Sequence, residues 1–106
     1  MRTKYYRRDG TPASLAWWMN QMEGDADLLR RVARDDIGDA LVSTVFLGLN
    51  HRWDDGPPLI FETMIFGGPH DESQWRYSTE AMAQAGHAAI VAALRAGEAP
   101  PETLPE

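Results

Sequence analysis

Three histidines (His51, His70 and His87) and Glu62 are the residues of this chain best suited to acid–base or metal chemistry. A metal site on one helix takes two histidines four residues apart, and no such pair exists here, so no metal is expected. Glu62 sits mid-strand between apolar neighbours, and an unpaired carboxylate there would be costly to bury. His87, Arg76 or a backbone donor would satisfy it. A Glu62–His87 pair, with His51 as a third member, fits a general base held by an orienter in a small hydrolase or transferase. The same pair also fits a polar network that locks strand to helix, with no catalytic residue at all. His70, beside Pro69, reads as exposed. Ser43 and Thr44 lie on a strand without a Gly-x-Ser-x-Gly turn, which argues against serine nucleophile chemistry. Gly67-Gly68 is too short to cradle a phosphate and precedes a proline. There is no cysteine, which excludes disulfides, thiolate nucleophiles and cysteine-ligated metals. No cofactor is expected.

Binding residues are easier to nominate. His51, Arg52, Trp53, Asp54 and Asp55 share one loop, and Trp75, Arg76 and Tyr77 follow another. Tryptophan, arginine and tyrosine dominate binding hot spots and stack on planar ligands; the competing role is a pair of tryptophans lidding the core. Trp17 and Trp18 are adjacent on a helix and cannot both face one core, so one is exposed or meets another surface. With the two-faced apolarity of residues 41–49, this motivates a homodimer.

The elements that position these groups follow from pattern. Lys4–Arg8 reads as a short strand ending at the turn pair Asp9-Gly10. Thr11-Pro12 reads as a helix start, with Leu15, Trp18, Met19 and Met22 as its apolar stripe and Gly24 as its stop. Residues 25–29 fit either a helical turn or the lead into a strand. Gly38-Asp39 joins strands 32–37 and 40–49 as a two-residue hairpin. The second is apolar on both parities, so it is expected to be central and covered on both faces. Strand 59–66 follows, then a short edge strand at Trp75–Ser78. Ser78 or Thr79 caps a last helix that runs to about Ala96 and closes at Gly97, with Ala83, His87, Ile90 and Leu94 inward. The expected fold is α+β, in the order β-α-β-β-β-(β)-α: an antiparallel sheet of three to five strands with helices packed on it. Residues 1–97 form one domain, and 98–106 a flexible acidic, proline-rich tail.

At 106 residues and 43% hydrophobic, the chain is long enough for one core. No apolar run approaches the roughly 20 residues that span a bilayer, so a soluble, cytoplasmic protein without membrane contact is expected. Its net charge of −6 is unevenly spread. Residues 1–34 carry a surplus of three positive charges and residues 35–106 a deficit of nine. A uniformly basic nucleic-acid footprint is absent, so direct nucleic-acid binding is not expected.

VSTVFLGLNH (42–51), GPPLIFETMIFGG (56–68), RYST (76–79) and AGH (85–87), with YYRRDG (5–10) and Trp17-Trp18, resemble short proteins encoded by phages and prophages, often of actinobacteria. The resemblance spans nearly the whole chain apart from the tail. Asn50 stands where that pattern has an aspartate. What the resemblance implies is an accessory factor, working in the host cytoplasm, that binds a host protein or complex without catalysis. Its most concrete form is a host-defence (anti-CRISPR-like) inhibitor. An alternative is a sponge for a nucleotide signal, with Arg7, Arg8 or Arg76 holding phosphate and a tryptophan the base.

Overall fold

The computed structural model describes residues 4–21, 23, 29–52 and 54–102. Strand β1 (Tyr5–Tyr6) turns at Asp9-Gly10 into β2 (Pro12–Ala13). The Asp9 carboxylate accepts the Thr11 hydroxyl at 2.6 Å and its amide at 2.9 Å. Those donors hold its carboxyl below the ordinary range. Thr11-Pro12 therefore does not start the helix: Pro12 pairs with Tyr6 at a sheet edge, where its missing N–H is tolerated. Ser14 caps α1 (Leu15–Gln21) instead, accepting the Trp17 amide at 3.1 Å. β1 also pairs with the chain that follows the fourth strand, through Tyr6 N–H to Gly48 O at 2.9 Å and Asn50 N–H to Lys4 O at 2.8 Å.

The expected stripe of α1 is split: Trp18 faces inward as expected, but Leu15 and Met19 are turned outward. Leu15 and Met19 are 50% and 54% exposed, while Trp17 and Trp18 point inward. Indoles bury more area than Leu or Met, and on so short a helix they set its rotation. Trp18 packs 5.4 Å from the Tyr5 ring and donates its indole N–H to Leu47 O at 3.1 Å. It lies on Gly48, whose φ is +70° and where a β-carbon would come within 2.9 Å of the indole. Trp17 packs against the cluster containing Phe46, with the Arg7 guanidinium 5.3 Å above its ring. The two indoles thus meet two different surfaces of their own chain, and they no longer argue for a homodimer. Met22, Gly24 and residues 25–28 lie outside the described residues.

The rest is a four-stranded antiparallel meander, β3 (Arg31–Ile37), β4 (Ala40–Phe46), β5 (Phe61–Phe66) and β6 (Gln74–Tyr77), followed by α2 (Glu80–Arg95). Ile37 pairs with Ala40 across the expected two-residue turn, and Gly38 supplies its φ of +58°. Thr79 caps α2 by accepting the Met82 amide at 3.1 Å, and the helix ends at Ala96. The α+β architecture is as expected.

α2 covers one face of the sheet. Val42, Thr44 and Phe46 on β4 and Phe61, Thr63 and Ile65 on β5 are buried there, with Tyr77. Ala83, Gly86, His87, Ile90 and Val91 are the buried face of the helix. β4 is central, but among the described residues only one of its faces is covered. Leu41, Ser43 and Val45, with Glu62, Met64 and Phe66, point the other way, and no helix or strand among the described residues lies over them. The chain after α2 is hydrogen-bonded to the body at two points. The Glu98 amide donates to Ala93 O at 2.9 Å, and Pro101 O accepts the Trp75 indole N–H at 2.9 Å. Residues 103–106 lie outside the described residues. No described helix is long and apolar enough to cross a membrane.

Gly86 lets α2 approach the sheet, because a β-carbon there would overlap the buried phenol of Tyr77. Glycine to alanine inside a helix ordinarily stabilises by about 1 kcal/mol. Gly86→Ala is expected to do the reverse, costing about 1–3 kcal/mol of overpacking in urea denaturation. A stabilised variant would mean the helix and sheet are further apart than described.

Candidate functional site

The clearest constellation is buried between helix and sheet. The Tyr77 hydroxyl donates to Thr63 Oγ1 at 3.0 Å, and Thr63 is hydrogen-bonded to Thr44. Thr44 Oγ1 lies 2.7 Å from Nδ1 of His87, whose Nε2 lies 2.7 Å from the Asp35 carboxylate. Strand alternation brings the hydroxyls together: Thr44 and Thr63 are register partners on the covered face, and Thr63 pairs with Trp75 two residues from Tyr77. Asp35 shares that face because it pairs with Val42.

Each hydroxyl has one hydrogen to give, and Tyr77 gives its own to Thr63. The assignment that uses every hydrogen runs Tyr77 to Thr63 to Thr44 to Nδ1, with Nε2–H donated to Asp35. The opposite direction would leave the Thr63 hydrogen with no acceptor among the described residues. Among the described residues no buried side-chain polar atom lacks a partner.

An Asp–His–hydroxyl order is also that of a hydrolytic triad. Here the hydroxyl belongs to a threonine that is 0% exposed, backed by a second threonine that is also 0% exposed. His87 is 4% exposed. A nucleophile must meet its substrate, and this one is sealed by the sheet it sits on. The arrangement suits a structural clamp.

The expected Glu62–His87 pair is not formed. Glu62 points to the uncovered face between the buried Phe61 and Thr63, and pairs across the strands with Arg76 at 3.0 Å. β5 is apolar on both parities, so the pattern did not fix which set faces the helix. His51 lies in the field of this pair. Partial burial pushes its imidazole below the ordinary value, the charge of Arg76 adds to that, and Glu62 opposes it. His51 thus feels the charges of Glu62 and Arg76 on the uncovered face, whereas His87 is on the other side of the sheet. His70 is half-buried and lines a hollow of about 220 Å³ with Ile37, Asp39 and Leu94.

The two nominated loops divide similarly. Trp75 and Tyr77 are turned toward the core, and Arg76 outward. The loop from His51 is braced internally: Asn50 Oδ1 accepts the amides of Arg52 at 2.8 Å and Leu59 at 2.9 Å, closing it at both ends. Arg52 donates to Pro57 O at 2.6 Å and pairs with Asp54 at 3.2 Å. Asp55 is exposed, and Trp53 lies outside the described residues. Among the described residues no three His, Cys, Asp or Glu side chains could hold a metal ion together. Asp35 and Thr63 escaped the sequence reading, and Thr44 entered it only as a poor nucleophile, although the three share strand parity with Ile37, Val42 and Ile65. Compared with protein-family models, curated proteins and solved structures, the chain matches none of them.

Burial pushes the Tyr77 phenol above its ordinary value, against the opposing effect of its hydrogen bond to Thr63. A proton held more tightly in the folded state stabilises fully below the unfolded value of about 10 and is lost as pH rises through the folded one. Unfolding free energy is therefore expected to fall above about pH 10, and Tyr77→Phe to remove that part of the slope. An unchanged slope in the variant would contradict the burial described for this phenol.

Proposed function

We propose that this chain is a non-enzymatic binding protein of phage or prophage origin that inhibits a host process by seating a host protein on the uncovered face of its sheet. A host-defence inhibitor is the most concrete form. The observation that carries this reading is the uncovered face itself. An antiparallel sheet with one wet face normally alternates polar residues outward. This one presents Leu41, Val45, Met64 and Phe66, the last 47% exposed. Contiguous apolar surface rimmed by charge is a mark of interaction sites, and the phage resemblance supplies the context.

The alternatives have less support. A hydrolase using Glu62 and His87 needs both side chains in one pocket, and they face opposite sides of the sheet. A nucleotide sponge built on Arg7, Arg8 or Arg76 needs those guanidinium groups unengaged. Arg7 donates to Pro12 O at 2.6 Å, Arg8 pairs with Glu80 at 2.8 Å, and Arg76 with Glu62 at 3.0 Å.

The test is phage plating on hosts with and without a defence system, with the chain expressed in the host. The wild-type chain is expected to restore plating on a defended host. Met64→Glu with Phe66→Glu should abolish that rescue while circular dichroism shows the fold retained. Full rescue by the double variant, or no rescue by the wild type on any defended host, would refute the proposal.

A further inference from the structure

Resting on the binding role proposed above, the geometry points to the chemistry of the partner: we infer that the uncovered face takes an acidic, aliphatic protein segment, its carboxylates held by Arg31 and Arg34.

Arg31 and Arg34 are three residues apart, and in a regular strand their side chains would emerge on opposite faces. A bulge between Arg31 and Ala33 changes that. Arg31 pairs with Val45 and Arg34 with Ser43, two positions of the same parity on β4. The inserted residue turns Val32 into the core cluster and brings both arginines to the uncovered face. Re-aiming a side chain is what bulges do beside working sites.

The two guanidinium groups border a hollow of about 200 Å³ whose other walls are Leu41, Ser43, Val45 and Phe66. Among the described residues neither has an ion-pair partner, whereas Arg8, Arg52, Arg76 and Arg95 each pair with a carboxylate. Two like charges on adjacent same-face positions, roughly 7 Å apart along the strand, repel until an anion lies between them. Guanidinium matches carboxylate in a two-pronged hydrogen-bonded fork. The Ser43 hydroxyl adds a donor on the floor.

The aliphatic walls call for apolar side chains beside those carboxylates. They do not suit a nucleic-acid backbone, which has no apolar side chains to set against them; the face's own acids are Asp36 and Glu62. The acids on the face also place its attraction for carboxylates at the Arg31–Arg34 side, since Glu62 is already paired with Arg76.

Fluorescence anisotropy of the full chain tests this with three labelled probes: a short peptide of Glu, Ser and Leu, its counterpart with Lys replacing Glu, and single-stranded oligothymidylate. The Glu peptide alone is expected to bind, more weakly as salt rises. Arg31→Glu with Arg34→Glu should lower its affinity about tenfold or more, the weight of a lost charge-assisted hydrogen bond. Both side chains are exposed, so the fold should survive; Arg34→Ala provides a milder second variant. Equal binding of the Lys peptide, preference for the oligonucleotide, absence of peptide binding, or indifference to both Arg variants would each overturn the inference. So would a dimer that Arg31→Glu dissociates, which would make a second copy the occupant. In the plating assay, dependence on Met64 and Phe66 without dependence on Arg31 and Arg34 would leave the binding face standing and remove the acidic segment. Dependence on neither pair would remove both.

Discussion

A buried imidazole needs a hydrogen-bond partner at each nitrogen, because an unmet polar group in a dry interface costs more than a met one contributes. His87 meets that condition by linking α2 to every strand of the main sheet. Asp35 belongs to β3, Thr44 to β4, Thr63 to β5 and Tyr77 to β6. One linear chain of hydrogen bonds therefore holds helix and sheet in a single register. A one-residue slip of any strand would turn its member of the chain to the other face. Aliphatic neighbours such as Val42, Ile65 and Ile90 supply most of the burial, but burial alone has no direction and would tolerate such slips.

That clamp also divides the molecule into a closed side and an open one. Hydroxyl, imidazole and carboxylate groups that could have made an active centre are spent on joining α2 to the sheet. The opposite face keeps its apolar residues and two unneutralised arginines without a covering element among the described residues. The N-terminal hairpin extends the same division. Trp18, Tyr5 and Gly48 fasten β1 to the chain beyond β4, and α1 packs with it at that end.

Much of this was legible in the residues. The Gly38-Asp39 hairpin, the central position of β4, the limits of the last helix and the inward His87 follow from turn chemistry and periodicity. What was not legible has physical causes. β5 is apolar on both parities, so nothing local chose between Glu62 and Thr63 for the covered face; packing against α2 chose. Thr11-Pro12 is a good helix start in isolation, but pairing with Tyr6 overrode it. The bulge at Arg31–Ala33 has no glycine to announce it. The partner of His87 was recoverable, since Asp35 shares strand parity with Ile37.

The proton position on His87 tests the clamp most directly, because it reads the direction of the whole hydrogen-bond chain. Two-bond ¹H–¹⁵N correlation spectra distinguish the tautomers of a histidine ring. The account predicts the proton on Nε2, slow to exchange and bound toward Asp35, with Nδ1 bare and accepting from Thr44. A bare Nε2 with the proton on Nδ1, or a ring proton exchanging as freely as one in open water, would contradict it.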